Sequence, residues 1–139
     1  MNVLGILEHR DIVLRAVSAA CKLVTGDPRG QLWNEFQQQV VSAVGEAFNN
    51  LVLHGYQGKK AGRVELVIRP GQGSIQVELR DWGKSFDPDA VPLPEIESLP
   101  ESGMGIFIMR SFMAVEYRKG RPNLLTMTKK LDPSKPAPD

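Results

Sequence analysis

The stretch from Val40 to Tyr56, V-V-S-A-V-G-E-A-F-N-N-L-V-L-H-G-Y, constrains this chain more than any other. Apolar residues at Phe36, Val40, Val44, Ala47 and Leu51 recur every three or four positions, which predicts a helix with one buried face. Glu46, Asn50 and His54 stand four residues apart, so on that helix they rise as a polar stripe beside the apolar one. Asn costs up to ~0.7 kcal/mol against Ala in a helix interior. Yet Asn49 and Asn50 stand together in an otherwise strong helix. A solvated outer face would tolerate the pair, whereas a half-buried helix that faces a ligand has a use for it.

The rest of the composition narrows the classes. With 139 residues the chain reads as one domain, over residues 1–131, with a core that needs no staples. Its 17 Lys and Arg against 16 Asp and Glu give a net charge of +1, with no basic run to track phosphates, so direct nucleic-acid binding is not expected. No apolar run approaches the ~20 residues that cross a bilayer. The opening M-N-V-L-G-I-L-E-H-R has no basic leader, so a cytoplasmic protein without membrane contact is expected. The single cysteine, Cys21, shares a helical stripe with Leu14, Val17 and Val24 and reads as core.

In chain order, residues 6–25 read as a first helix with Ile6 and Leu7 on its apolar side, stopped by Gly26-Asp27-Pro28. His9 lacks the separate helical hairpin that a phosphoacceptor histidine requires. The second helix runs from about Gln31 to His54, with Gly55 placed as a left-handed cap. After a polar loop the period changes to two: Val64, Leu66 and Ile68, then Ile75, Val77 and Leu79, predict a hairpin with one buried face. Residues 88–102 carry four prolines and no period, a loop long enough to suggest function. A short helix from Ile106 to Ala114 and a closing hairpin around Gly120-Arg121-Pro122-Asn123 follow. The Pro-rich tail 132–139 is expected to be disordered. The architecture implied is α+β: a two-layer sandwich whose mixed or antiparallel sheet is covered on one face by helices.

Two glycine segments carry chemistry. Asp81-x-Gly83 puts a carboxylate at a strand tip, where it can accept from an amine-bearing ligand, and Gly83 permits close backbone approach. Ser102-Gly103-Met104-Gly105 opens a helix whose free N–H groups suit phosphate. Either segment alone is also an ordinary turn or cap. In order, however, helical E-x-x-x-N, strand-end D-x-G and helix-opening G-x-G resemble the ATP-binding (GHKL, or Bergerat) fold of gyrase, the Hsp90 chaperone and sensor histidine kinases. Within it the likeness is to bacterial anti-sigma factor serine kinases, over about residues 5–131: E-A-F-N-N-L-V-L-H-G-Y, R-D-W-G-K-S-F-D-P and S-G-M-G-I-F-I-M-R-S-F-M are similar to their signature segments.

The resemblance implies roles. Asn50 would hold Mg²⁺ on the phosphates of ATP (or ADP), and Glu46 would take the proton from an attacking serine. Asp81 would hold the adenine amine, with Gly83, Ser85 and Phe86 around the ring. Ser102, Gly103, Met104 and Gly105 would face the phosphates under a lid of residues 88–102, with Asn49 and His54 tuning the site from behind. It also implies a sigma factor and an anti-anti-sigma STAS-domain protein as partners, and a homodimer through the sheet face opposite the ligand. Ser85 stands where relatives have the second glycine of D-x-G-x-G, and Glu101 where many have a basic residue. Relatives also begin with a strand, for which Met1 to Ile6 leaves little room. The alternative reading is a nucleotide-dependent module that sequesters its partner without catalysis.

Overall fold

The amphipathic stretch forms helix α2, Gln31–Asn50, and the period of its apolar residues sets what it buries. Phe36, Val40, Val44, Ala47 and Leu51 are at most 9% exposed, while Glu46, Asn50 and His54 are half-buried. The structure, a computed structural model, describes residues 1–25, 31–56, 62–84 and 101–131. Helix α1, Arg10–Thr25, lies against α2 and contributes Val13, Val17 and Cys21 to the core. Burial pushes the Cys21 thiol up to about 11, which suits a packing residue and not a nucleophile. Helix α3, Glu101–Phe112, packs on another side of α2 through Ile106 and Met109.

Strands β1 (Asn2–Leu4), β2 (Arg63–Gly71), β3 (Ser74–Asp81), β4 (Ala114–Arg118) and β5 (Asn123–Lys130) form one sheet in the order β1-β2-β3-β5-β4. Every neighbouring pair is antiparallel. The two-residue alternation sends Val64, Leu66, Ile75, Val77, Leu79 and Met127 under the helices. The opposite face carries a charge ladder: Arg80 reaches Glu65 at 3.0 Å and Glu78 at 2.8 Å, and Arg69 also meets Glu78. The result is the two-layer sandwich anticipated from the sequence, with its sheet antiparallel throughout the described residues.

Several local expectations are corrected. Met1 to Ile6 does hold a strand, because Val3 pairs opposite Val64 and is buried by that pairing. The first helix starts at Arg10, not at residue 6. Leu7–His9 is a 3₁₀ turn in which His9 Nδ1 accepts the Leu4 N–H at 3.0 Å, and Leu7 is left 51% exposed. Gly55 is not a left-handed cap, since among the described residues only Gly73 has a positive φ. Instead α2 widens into a π-helical turn, Leu51–Gly55, and the Gly55 carbonyl accepts the Lys84 N–H at 2.8 Å. Such turns recur at functional sites. Finally, α3 begins at Glu101, so Gly103 and Gly105 lie inside its opening turns and not ahead of them. The turn 26–30, the loop 57–61, most of the expected lid and the tail 132–139 fall outside the described residues.

Candidate functional site

A cleft of about 420 Å³, counting solvent at its mouth, opens between α2, α3 and the inner face of the sheet. Ala47, Asn50, Leu51 and Gly55 line it from the α2 side, Asp81 and Lys84 from the end of β3, Met109 from α3, and Tyr117 and Leu125 from β4 and β5. Its walls are mostly apolar, with a few polar groups at defined points, the composition of a small-molecule site.

Asp81 is the last residue of β3, and the strand alternation turns it inward, where it is 8% exposed. Its Oδ1 accepts the Gly83 N–H at 3.0 Å and an Asn123 Nδ2–H at 3.1 Å. Among the described residues both bonds land on that one oxygen, so Oδ2 is available to a ligand. Burial raises the carboxyl above its ordinary range, and the bonds from Asn123 and Gly83 pull it back. Gly83 works differently from expectation. A Cβ there would strike the Gly55 carbonyl and stand 2.9 Å from the Tyr56 ring, so its missing side chain admits the end of the α2 segment. The space it leaves is filled by protein and not by the cleft.

Glu46 and Asn50 rise one turn apart toward α3, as their spacing requires. A Cβ at Gly105 would lie 2.7 Å from Glu46 Oε2, so the bare glycine is what lets Glu46 sit against α3, while Asn50 Nδ2 at 3.7 Å stands at an ordinary contact distance. Asn50 Nδ2 is buried with no hydrogen-bond partner among the described residues. Among the described residues no bond fixes either end of that carboxamide, so it can present oxygen or nitrogen to a ligand. An orphaned buried amide costs about 1–3 kcal/mol unless something binds it. A hard cation accepts an amide oxygen together with phosphate and water oxygens, and the group therefore fits a magnesium–phosphate ligand. Among the described residues no cluster of His, Cys, Asp and Glu offers an all-protein metal site.

The other anticipated residues divide. With α3 starting at Glu101, the N–H groups of residues 101–103 are the unpaired ones of its first turn, while that of Gly105 is within reach of an intrahelical bond. Met104 is 41% exposed on the same turn. Asn49 and His54 are half-buried and do not line the cleft. Ser85 and Phe86 lie outside the described residues, and Ser102 and Gly103 are described as backbone only. Sequence reasoning missed Asn123, 1% exposed and bonded to Asp81, because an Asn after Arg-Pro reads as a turn residue until the strand register is known. It also missed Lys84, Met109 and Leu125, whose place in the cleft depends on the packing of three separate elements.

Among the described residues, three helices over one face of a five-stranded antiparallel sheet, with Asn50 and the strand-end Asp81 in one apolar cleft, set the architecture against which known proteins can be compared. The family model of the histidine kinase-like ATPase domain matches residues 11–129. An anti-sigma F factor of Clostridium botulinum (strain Eklund 17B / Type B) is 34% identical over 100 residues, 67% of this chain and 70% of that protein. The anti-sigma F factor of Halalkalibacterium halodurans is 35% identical over 79 residues, 54% of each chain. Among solved structures, the histidine kinase domain of the Erythrobacter litoralis EL346 blue-light activated histidine kinase superposes with a TM-score of 0.54 at 15% identity. That match covers 85% of this chain and 59% of the kinase domain, and it speaks to the fold alone. The chain belongs to the histidine kinase-like ATPase family, and the relatives it is similar to include anti-sigma F factors. Membership in a family of ATPase domains implies that the chain binds ATP. Among the described residues no helix is long and apolar enough to cross a membrane.

Proposed function

We propose that this chain is a cytoplasmic anti-sigma factor and serine-protein kinase. It binds Mg-ATP, sequesters a sigma factor, and phosphorylates a serine of a STAS-domain anti-anti-sigma protein that displaces it. The observation that carries the reading is the meeting, in one cleft, of an Asn50 carboxamide without a partner among the described residues and an Asp81 carboxylate that those residues bond on one oxygen only. The names of the sequence relatives support the choice of partners.

Asp81 Oδ2 accepts the exocyclic amine of adenine, and Ala47, Leu51, Met109 and Leu125 give the ring apolar walls. The unpaired N–H groups at the start of α3 bind the phosphates, as helix N-termini do. Asn50 holds the Mg²⁺, which when bound neutralises phosphate charge. Glu46, one turn earlier and seated against Gly105, takes the proton of the serine hydroxyl. Phosphoryl transfer asks chiefly for alignment and charge compensation, so a single well-placed carboxylate is enough protein chemistry. The protein works as a homodimer through the sheet face opposite the cleft.

Mutation divides the reading. In calorimetric titration with ATP, Asn50→Ala weakens binding when Mg²⁺ is present and changes it little in EDTA. Glu46→Gln binds Mg-ATP nearly as wild type does but transfers no labelled γ-phosphate to an anti-anti-sigma protein. If Glu46→Gln labels its partner at the wild-type rate, the base assignment is wrong. If wild type binds Mg-ATP and retains its sigma factor yet labels no partner, the chain is a non-catalytic, nucleotide-dependent binding module.

A further inference from the structure

Asn123 is the first residue of β5 and stands opposite Asp81 in the ladder with β3. It is 1% exposed. Its Nδ2 donates to Asp81 Oδ1 at 3.1 Å and to the Gly83 carbonyl at 3.0 Å, and its Oδ1 accepts the Gly120 N–H at 3.1 Å. Both amide protons and the amide oxygen are therefore used, and this bond pattern fixes which end is which. One side chain ties together the Asp81 carboxylate, the turn after it and the loop between β4 and β5. No part of the proposed reaction accounts for so complete an investment of a buried polar group.

The chemistry of the two purines gives it a purpose. Adenine presents an amino donor where guanine presents an oxo acceptor. A carboxylate only accepts, but a carboxylic acid can also donate. An Asp that took up a proton would lose its preference for the amino base. Asn123 Nδ2 has only protons to offer, and an ionised carboxylate accepts them more strongly than a neutral acid does, so the bond on Oδ1 favours the ionised form of Asp81 and opposes a proton on Oδ2. We propose that Asn123 is a positioning residue for base choice: it holds Asp81 as a one-sided acceptor, with Oδ2 toward the cleft, and so sets the preference for ATP over GTP. This deepens the ATP-binding reading and rests on it.

Burial works against this arrangement by raising the Asp81 carboxyl, and the bond from Asn123 is the first influence opposing it. Among the described residues, the other titratable groups around the carboxylate are Tyr56, from just beyond the π-helical turn, Lys84, in the turn following β3, and Tyr117 from β4. Of the described residues that line the cleft there, the polar one from α2 is the neutral Asn50, α3 brings the apolar Met109, and β5 brings Leu125 beside Asn123 itself.

The test titrates the full chain with fluorescent analogues of ATP and GTP, and with inorganic tripolyphosphate, between pH 5.5 and 8.5. Asn123→Leu replaces the amide with an apolar group of similar size, and Asn123→Ser retains one donor. For the leucine variant the ATP-to-GTP affinity ratio falls about tenfold or more, the scale of losing one hydrogen bond to a charged group. Its ATP affinity also drops increasingly as the pH is lowered, while tripolyphosphate binds as to wild type. Asn123→Ser is expected to fall between the two, and it carries the test alone should the leucine variant fail to fold. If ATP and GTP weaken by the same factor, or the pH profile stays parallel to wild type, Asn123 only supports the fold and the assignment is overturned. If wild type itself binds no ATP, the underlying nucleotide reading fails first.

Discussion

Replacing Gly105 with alanine separates the stability of this fold from its chemistry. The new Cβ would stand 2.7 Å from Glu46 Oε2, well inside the 3.4 Å at which ordinary contact begins, and 3.7 Å from Asn50 Nδ2, which is tolerable. The atom that must move is the far end of a flexible side chain. Rotating the Glu46 side chain out of its well costs about 0.5–1.5 kcal/mol. Alanine in place of glycine within a helix returns about 0.8–1.0 kcal/mol. The two nearly cancel, so the melting temperature is expected to stay within about 4 °C of wild type. Function does not share the cancellation. A catalytic group misplaced by about 1 Å can cost roughly a hundredfold in rate.

The expected pattern for Gly105→Ala is thus an unchanged melt by scanning fluorimetry, Mg-ATP affinity within about threefold of wild type by titration, and, for the proposed single-turnover transfer to an anti-anti-sigma protein, a rate slowed about a hundredfold. Transfer at the wild-type rate would refute the claim that this glycine seats the base. A melt lowered by more than about 10 °C would refute the energetic argument, since Glu46 would then have nowhere to retreat.

The remaining perturbations act on the other glycine contact and on the buried acid. Gly83→Ala also adds one methyl, but it meets the Gly55 carbonyl and the Tyr56 ring, neither of which can step aside. It should lose about 1–3 kcal/mol or more by denaturant titration, together with nucleotide binding. Asp81→Asn retains an oxygen to accept from Gly83 and Asn123 but removes a carboxyl whose folded form holds its proton more tightly than the unfolded chain does. The native state therefore binds more protons between the ordinary and the raised value, so wild-type stability falls as pH rises through that window. Without ligand, the variant should melt above wild type at neutral pH, with the gap closing as pH falls to the ordinary carboxyl value; it should no longer prefer ATP. A melting difference that does not change with pH would show that Asp81 is not the titrating group.

The layers of the fold were legible because they rest on periodicity. The positions from Phe36 to Leu51 repeat with the helical turn, the hairpin residues from Val64 to Leu79 alternate, and both patterns ended in the core as expected. What was not legible depends on pairings between distant segments. Asn2–Leu4 is too short to show a pattern, and it is a strand because β2 offers it an edge. Gly55 looked like a cap from its position after the helix, but its carbonyl is claimed by Lys84, and the backbone follows a π-helical path instead. In the site, the spacing of Glu46 and Asn50 put them one helical turn apart, while the roles expected of Glu46, Asn50, Asp81 and Gly105 rested on the resemblance of three segments taken together. Asn123 could not, since its partner is set by the register of β5 on β3.

The glycines act on contacts within the protein that the sequence does not show. From the sequence, Gly83 and Gly105 were expected to bring backbone close to the ligand. In the structure each of them brings protein close to protein: Gly83 admits the Gly55 carbonyl, and Gly105 admits the Glu46 carboxylate. Gly5 and Gly62 do the same for the Tyr56 ring, which a Cβ at either would meet at 2.6 or 2.7 Å. The Tyr56 hydroxyl then donates to the Arg63 carbonyl at 2.8 Å and accepts the Trp82 N–H at 3.3 Å. The end of the α2 segment is thereby fixed to the start of β2 and to the turn beyond Asp81 by contacts that only bare backbone permits. A site whose polar groups come from a helix, a strand end and a second helix needs those three elements at fixed separations. The glycines supply that spacing, so the geometry of the cleft is a property of the backbone before any ligand arrives.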